Sequence, residues 1–397
     1  MSYDFDTVLD RRATFCAKWD VEQGELPLTI ADMDFATAPE VQQAILERAQ
    51  HGAFGYTYIP DAWFDAVIGW WQRRHGLTIP REALIFCTGV IPAISSAVRK
   101  LMTPNENVLI QTPVYNVFFN SIVNNGCRVL ESPLTYDGEG YSIDWEDLER
   151  KLALPQTTMM IVCNPHNPVG KLWDRATLAR IGLLCQKHHV VVISDEIHCD
   201  LCDPELGYVP FASASDVCRD VSVTCVAPGK TFNLAGMHSA AVIVYNEALR
   251  SRVERALNTD EVAEPNAFAI QAAIAAYTKG DAWLDELRAY LFDNKRMIRD
   301  FIAREIPQIR VVPSQATYLL WLDCSALSPD ADAFAEHLRR ISGLLLTPGS
   351  HYGETGRAFL RLNTAYPRSV IEDALGRLKN GVETWGTGDG DAGRRLF

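Results

Sequence analysis

The middle of the chain alternates short apolar segments with segments of helical periodicity, and this alternation limits the possible folds more than any other feature. The apolar segments are short and nearly continuous, which predicts strands buried on both faces, as in a parallel sheet. They cover residues 84–87, 107–111, 159–163, 190–194, 222–226 and 239–245. The helical patterns cover residues 92–102, 114–124, 174–188 and 247–257. Together they predict an α/β fold with a doubly wound, mostly parallel sheet.

The carboxyl-terminal part of the chain has a different pattern. A long helical pattern at 283–305 leads into strand patterns at 310–312, 318–323 and 359–363, with a further helix near 332–341. We expect a smaller α+β domain here, because a chain of 397 residues usually forms more than one core. The predicted division is an amino-terminal segment at 1–45 that joins the small domain, a large domain at 46–280, the small domain at 281–385 and a flexible tail at 386–397.

Charge and hydropathy exclude several classes of partner. The 37 Lys and Arg residues are outnumbered by 50 Asp and Glu, and the formal net charge of −13 would repel nucleic acid and anionic membranes. No apolar stretch approaches the roughly 18 residues of a spanning helix, and residues 1–12 lack the apolar core of a signal peptide. The ten cysteines are scattered, as in a reducing compartment. We therefore expect a cytoplasmic protein without nucleic-acid or membrane partners.

Two motifs suggest ligands that their surroundings do not support. Cys199 and Cys202 have the spacing of zinc ligands, with His198 beside them, but no second pair stands at a suitable distance. Residues 388–393 match the G-x-G-x-x-G pattern of dinucleotide-binding loops, yet they neither follow a strand nor open a helix. We expect neither a metal nor a dinucleotide.

Polar residues follow four of the predicted strands, at the ends that a parallel topology brings to one sheet edge. These groups are the NPHNPVG sequence at 164–170, the DEIH sequence at 195–198, the segment 227–236 around Lys230, and residues 88–91 before a helix. Each group alone is explained by a turn, a cap or a solvated charge. Together they supply an amide, a carboxylate, an amine and a helix amino terminus to one cleft.

An anionic aldehyde cofactor, pyridoxal 5′-phosphate, needs this combination of groups. A lysine amine such as that of Lys230 can hold the aldehyde as a Schiff base. A carboxylate beside the ring nitrogen keeps that nitrogen protonated, and an amide donor fixes the phenolic oxygen. The backbone amides of Gly89, Val90 and Ile91, at the start of a helix, suit the phosphate.

From about Pro27 to Arg368 the sequence resembles the fold-type I pyridoxal-phosphate enzymes, aminotransferase class I/II. It is most similar to their carbon–sulfur β-lyase branch, which includes cystathionine β-lyases and cysteine-S-conjugate β-lyases. The stretches that carry this resemblance are LPLTIADMDF at 26–35, FGY at 54–56, SDEIH at 194–198 and RLNTAYPR at 361–368. The resemblance implies the fold-type I transferase fold, with a large cofactor-binding domain and a smaller α+β domain.

Several cofactor contacts follow from this resemblance. It implies that Lys230 is the Schiff-base lysine and that Asp195 pairs with the ring nitrogen. Asn167 would donate to the phenolic oxygen and is also a candidate contact of the substrate carboxylate. Tyr115 would stack on the ring, while His198 would either support the ring beside Asp195 or simply pack there.

The resemblance also implies contacts to the substrate and across a dimer. Arg361 would bind the α-carboxylate of an amino-acid substrate through a bidentate pair, with the backbone of Ile30 and Ala31 nearby. Tyr56 would reach the phosphate of the neighbouring subunit's cofactor, because these enzymes build each active site across a homodimer.

Some positions depart from the pattern or invite another interpretation. Many relatives carry phosphate-binding hydroxyls at the positions of Ala227 and Gly229, and transaminases commonly carry an arginine at the position of His238. Asp32 and Asp34 could be taken for an acid/base pair, but alternate residues of an extended segment point to opposite sides, so we expect structural roles for both.

The function expected from these features is β-elimination. A pyridoxal-phosphate-dependent carbon–sulfur β-lyase would cleave L-cysteine conjugates such as cystathionine to a thiol, pyruvate and ammonia. The same lysine, aspartate and asparagine would also serve an aminotransferase, which is the main alternative. A binding or regulatory protein that merely retains the cofactor is a more remote one.

Overall fold

The computed structural model describes residues 3–386. In chain order its strands are β1 (Leu26–Pro27), β2 (Leu84–Cys87), β3 (Asn107–Ile110), β4 (Arg128–Glu131), β5 (Thr135–Tyr136), β6 (Tyr141–Ser142), β7 (Thr157–Cys163), β8 (Val191–Asp195), β9 (Ser222–Val226), β10 (Ala240–Ile243), β11 (Arg310–Val311), β12 (Leu319–Asp323), β13 (Leu344–Leu345), β14 (Thr347–Pro348) and β15 (Phe359–Asn363). Its helices are α1 (Pro39–Gln50), α2 (Asp61–His75), α3 (Val90–Leu101), α4 (Val117–Val123), α5 (Trp145–Leu152), α6 (Arg175–Lys187), α7 (Phe211–Ala214), α8 (Asp216–Val221), α9 (Pro228–Thr231), α10 (Glu247–Thr259), α11 (Ala269–Lys279), α12 (Asp281–Glu305), α13 (Ala331–Ser342) and α14 (Arg368–Thr384). Within residues 3–386, no helix combines the length and apolarity that crossing a bilayer requires. The tail predicted at 386–397 lies, apart from Gly386, outside the described residues.

The larger sheet has seven strands in the order β2-β10-β9-β8-β7-β3-β4. Strands β4, β3, β7, β8 and β9 run parallel to one another. Apolar side chains of α3, α4 and α10 cover one face of this sheet, and those of α5, α6 and α7 cover part of the other. The doubly wound α/β sheet predicted from the alternating pattern is confirmed.

Strand β10 differs from the prediction in its direction. It runs antiparallel to both of its neighbours, β2 and β9, although the apolar sequence of segment 239–245 predicts a parallel strand. The strand is buried along its whole length, and burial on both faces produces the same apolar sequence in either direction. The connection from β9 passes only through α9 and a 3₁₀ turn, so β10 returns beside β9 without the long crossover that a parallel pair needs.

A second, antiparallel sheet lies in the carboxyl-terminal part, with strand order β11-β12-β15-β14. It packs on α13 and α14 and on the last turns of α12. The amino-terminal segment contributes β1, which pairs with β13 in register. The predicted domain bounds at residues 45, 280 and 385, and the predicted assignment of the amino-terminal segment to the small domain, stay predictions.

Candidate active site

A cavity of about 250 Å³ opens at the sheet edge where β7, β8 and β9 end. The residues that follow these strands line it, because parallel strands bring their carboxyl ends to the same edge. The structure thus brings together predicted site residues that are far apart in the sequence, namely Ala31, Gly89, Val90, Ile91, Tyr115, Asn167, Asp195, His198 and Lys230. Ile30, Tyr56 and Arg361 are not among the residues that line this cavity.

Lys230 lies in the single turn of α9, which begins soon after β9. Its Nζ donates a hydrogen bond to the backbone oxygen of Ala31 in the amino-terminal segment. Burial and the positive charge of Arg361 lower the pKa of Lys230 to about 8, because both disfavour the charged amine. A fraction of the amine is therefore unprotonated near neutral pH, as a nucleophile must be.

Asp195 ends β8, and this buried residue lines the cavity. Its Oδ1 accepts a hydrogen bond from the backbone N–H of Ile197 at 3.1 Å. Burial raises the pKa of Asp195 to about 6, although the Ile197 N–H and the charge of Lys230 oppose this shift. A cation placed against this carboxyl group would favour its charged form.

Asn167, His198 and Tyr115 also face the cavity. The Oδ1 atom of Asn167 and the Nδ1 atom of His198 have no hydrogen-bond partner within residues 3–386. Burial, with the nearby charges of Lys230 and Arg361, lowers the pKa of His198 well below its ordinary value, so its ring is neutral. Burial also raises the pKa of Tyr115 to about 12. Buried polar atoms without partners are costly, and a polar ligand would satisfy those of Asn167 and His198.

The amino terminus of α3 forms another wall of the cavity. Gly89 is the residue before the first turn, and its backbone oxygen accepts the N–H of Ala93 at 3.1 Å. The N–H groups of Val90 and Ile91 precede the first helical hydrogen bonds and are therefore available to a ligand. An anion is favoured at such a helix start.

Arg361 approaches the cavity from the small sheet, on β15. Its Nη2 donates to the backbone oxygen of Thr29 at 2.8 Å, and its guanidinium lies 5.0 Å from the ring centre of Tyr352. Its buried Nε atom has no hydrogen-bond partner among the described residues. Asn363, two residues further on, donates to the backbone oxygens of Ile30 and Asp32, each at 2.8 Å. Strand β15 thus fixes the segment that includes Ile30 and Ala31.

Asp32 and Asp34 correct one expectation about this segment. Arg11 and Lys18 each form ion pairs with both carboxyl groups, for example Lys18 Nζ to Asp32 Oδ1 at 2.7 Å. The two aspartates therefore reach the same pair of cations and do not point to opposite sides. The backbone bends between residues 30 and 35 and forms no strand there, so alternation does not apply. Their expected structural role agrees with these contacts.

Tyr56 stands apart from the cavity. Its side chain is fully exposed, and those of Phe54 and Tyr58 are also largely exposed. All three lie in a segment without helix or strand between α1 and α2. In a single chain Tyr56 has therefore no contact with the site of its own subunit.

The pair Cys199 and Cys202 is buried away from the cavity. Potential ligand atoms of His75, Cys199 and Asp200 lie within 4.8 Å of one another. Hydrogen bonds already occupy Asp200, which contacts His75 at 2.8 Å and Thr231 at 2.9 Å. Because Thr231 follows Lys230, this network secures the turn that carries the lysine.

Two contributions to the site were missed by the sequence analysis. Tyr318 donates its hydroxyl to the backbone oxygen of Ala31 at 2.9 Å, the same oxygen that Lys230 contacts. Ser239, at the start of β10, lines the cavity. Neither residue has a local signal, because each is brought to the site by the pairing of distant segments.

The fold and these side chains define an α/β protein with a ligand site at the carboxyl edge of its sheet, where a lysine, an aspartate and an asparagine converge. Residues 24–378 match the family model described as aminotransferase class I and II. Cystathionine beta-lyase PatB of Bacillus subtilis is 40% identical to this chain over 383 residues, which cover 95% of this chain and 99% of PatB. The chain therefore belongs to the aminotransferase class I and II family.

Two solved structures support the same assignment of fold. Cystalysin from Treponema denticola, which contains a pyridoxal 5′-phosphate cofactor, is 31% identical, with a TM-score of 0.93 over 96% of this chain and 99% of its own. The PLP-bound C–S lyase from Staphylococcus hominis is 30% identical, with a TM-score of 0.89 over 96% of this chain and 99% of its own. The predicted fold-type I transferase fold and the predicted family are confirmed.

Proposed function

We propose that this protein is a pyridoxal-phosphate-dependent carbon–sulfur β-lyase, which cleaves L-cysteine conjugates such as cystathionine to a thiol, pyruvate and ammonia. The observation that carries the proposal is the buried amine of Lys230 in one cavity with Asp195 and Asn167. The similarity to cystathionine beta-lyase PatB and to the C–S lyase of Staphylococcus hominis supports elimination as the reaction.

The residues of the cavity fit pyridoxal phosphate. Lys230 has a lowered pKa and can bind the aldehyde covalently. Asp195 offers a buried carboxyl group to the ring nitrogen, and the amide group of Asn167 can donate to the phenolic oxygen. The free N–H groups of Val90 and Ile91 suit the phosphate, and Tyr115 and His198 would enclose the ring.

When bound, pyridoxal phosphate supplies an electron sink that stabilises the negative charge left on the substrate Cα after its proton leaves. The Nζ atom of Lys230, freed from the cofactor by the substrate amine, would act as the general base that accepts the Cα proton. The same Nζ can deliver a proton to the thiolate that departs from Cβ. Asp195 would keep the ring nitrogen protonated.

Arg361 gives this reaction its amino-acid specificity. Its guanidinium can form two parallel hydrogen bonds with the α-carboxylate. Its contact with the backbone oxygen of Thr29 orients the side chain. The backbone of Ile30 and Ala31, of which Ala31 lines the cavity, would lie beside the substrate carboxylate. A carboxylate held there by Arg361, with help from Asn167, would place the Cα–H bond near Lys230.

A homodimer with shared active sites is the assembly that we propose. Phe54, Tyr56 and Tyr58 are close in sequence and expose aromatic side chains that a partner subunit would cover. Tyr56 could then donate its hydroxyl to the phosphate in the partner's site.

We also place the protein in the cytoplasm. The ten cysteines are free thiols, and all except Cys16 are buried. Reduced cysteines in the core are ordinary in a reducing compartment.

The test of this function is sustained turnover without a keto acid. Purified protein with bound cofactor is given L-cystathionine or an S-alkyl-L-cysteine, and pyruvate and free thiol are measured over time. We expect many pyruvate molecules per subunit. A single stoichiometric burst that resumes only when a keto acid is added would instead identify an aminotransferase.

A further inference from the structure

Ser239 immediately precedes β10, and the antiparallel direction of this strand brings it to the edge where the other strands end. Ala240 pairs with Cys87 of β2. Continuing this register by one residue places Ser239 beside Thr88, just before the helix start at Gly89. A parallel strand would instead begin at the opposite edge of the sheet.

On the side of β10 that pairs with β9, Ser239 lies beside the turn that contains Lys230. Ala241 pairs with Val226 of β9, so the same continuation brings Ser239 next to the residues that open α9. Ser239 therefore lies between the amino terminus of α3 and the lysine turn. Both border the cavity, and Ser239 lines it as well.

The hydroxyl of Ser239 has no hydrogen-bond partner within residues 3–386, although the side chain is buried. A buried hydroxyl without a partner is uncommon and needs an explanation. Because no hydrogen bond has to be broken, the side chain can rotate toward an acceptor in the cavity at little cost. A ligand with oxygen acceptors would satisfy it.

The other residues of this wall make Ser239 distinctive. Ala227 and Gly229, which also line the cavity, carry no hydroxyl. Among the residues that line the cavity, Thr88 and Ser239 are the only Ser or Thr side chains. A phosphate at the start of α3 would receive backbone N–H donors from Val90 and Ile91, and it has further oxygens to satisfy.

We propose that Ser239 Oγ donates a hydrogen bond to the phosphate of the cofactor and thereby completes the phosphate site that the start of α3 begins. This inference rests on the proposed cofactor and adds to it a specific ligand. It also explains why the hydroxyl is left unpaired by the protein itself.

The test compares two ligands that differ only by the phosphate. Pyridoxamine 5′-phosphate and pyridoxamine both bind without a covalent bond to Lys230, so affinity can be measured on the full chain after the cofactor is removed. Ser239→Ala should weaken pyridoxamine 5′-phosphate binding by about 10-fold, the loss expected for one hydrogen bond to a charged group. The affinity for pyridoxamine should stay the same.

Ser222→Ala is the matched control, because Ser222 is also buried with an unpartnered hydroxyl but lies on β9 outside the cavity. It should change neither affinity. A rescue variant is Gly229→Ser, since a Cβ at Gly229 would lie 3.4 Å from its nearest neighbour, the Cα atom of Ala235. Adding this hydroxyl to Ser239→Ala should restore most of the lost affinity.

The ³¹P resonance of the cofactor phosphate, measured on the protein with pyridoxal phosphate bound, gives a second readout. This resonance should shift in Ser239→Ala and not in Ser222→Ala. Equal losses for both ligands, or no loss for the phosphorylated one, would overturn the role of Ser239. If the unaltered protein binds neither ligand, the proposed function itself fails, so the two failures are distinguishable.

Discussion

The Nζ atom of Lys230 donates a hydrogen bond to the backbone oxygen of Ala31, which lies 199 residues earlier in the sequence. The acceptor belongs to the segment that Asn363 also holds through Ile30 and Asp32. The amine of Lys230 is thus positioned by the large sheet, the amino-terminal segment and the small sheet together. This arrangement makes the site sensitive to single substitutions in distant parts of the chain.

Lys230 should be the residue that carries the cofactor. Borohydride reduction of the enzyme, followed by proteolysis and mass spectrometry, should find the pyridoxyl group on this lysine. Lys295 provides an internal comparison, because it is also buried and burial lowers its pKa to about 7. Its Nζ contacts Ser314 and Ala316 and it does not line the cavity, so it should remain unlabelled. Label on Lys295 or any other lysine would refute the assignment.

Asp195→Asn should lower turnover by about 10²–10³-fold, the usual loss when a buried electrostatic partner of the reaction is removed. The amide keeps the shape of the side chain and removes the charge that, in the proposed function, would hold the ring nitrogen protonated. The matched control is Glu196→Gln, because the carboxyl group of Glu196 is equally buried but points to Ser194 and Tyr208. Steady-state kinetics with retained cofactor absorbance should separate the two variants. Similar losses in both would argue against a direct role of Asp195.

The burial of Lys230 should appear in the stability of the cofactor-free protein. Its pKa falls from the ordinary lysine value of 10.5 to about 8 in the folded chain. Between these values the unfolded chain holds a proton that the folded chain has lost, so the free energy of unfolding rises with pH across this window. Below pH 8 both states are protonated, and the buried ammonium costs its full penalty.

Lys230→Met removes this penalty and should stabilise the cofactor-free protein relative to the unaltered one by about 3 kcal/mol at pH 7. The advantage should shrink steadily above pH 8 and vanish near pH 10.5, apart from a pH-independent offset for the lost contact with Ala31. Urea unfolding of both proteins at several pH values measures the difference. A difference that does not change with pH would show that the amine is not desolvated.

The sequence predicts those parts of the site that have local signals. Strands β7, β8 and β9 are continuous apolar runs, and the polar residues after them converge because parallel strands share an edge. The direction of β10 could not be predicted, because a buried antiparallel strand has the same apolar pattern as a parallel one. For this reason the position of Ser239 beside the helix start was also missed.

The contacts of the amino-terminal segment depend on tertiary structure in the same way. Arg11 and Lys18 form ion pairs with Asp32 and Asp34 because the backbone bends between residues 30 and 35. The periodicity of apolar residues does not predict such a bend. Tyr318 reaches Ala31 from the small sheet across a large separation in sequence. Contacts of this kind can be identified only when the relative position of the two sheets is known.

Tyr56 offers the sharpest test of shared active sites. Tyr56→Ala should reduce cofactor affinity and activity, and Lys230→Ala should abolish activity. If Tyr56 serves the partner's phosphate, a heterodimer of the two variants contains one site with both Lys230 and Tyr56 intact. The two variants are mixed in equal amounts, then unfolded and refolded to exchange subunits. Half of the dimers should then be heterodimers with one intact site of two, so about a quarter of the original activity should return.

The opposite outcome is equally clear. If Tyr56 acts within its own subunit, or has no role at the phosphate, every site in the mixture lacks Lys230 or keeps the defect of Tyr56→Ala, and mixing restores nothing. Tyr58→Ala is the control, because Tyr58 is exposed in the same segment as Tyr56. Its mixture with Lys230→Ala should simply give the activity expected from the diluted Tyr58→Ala protein.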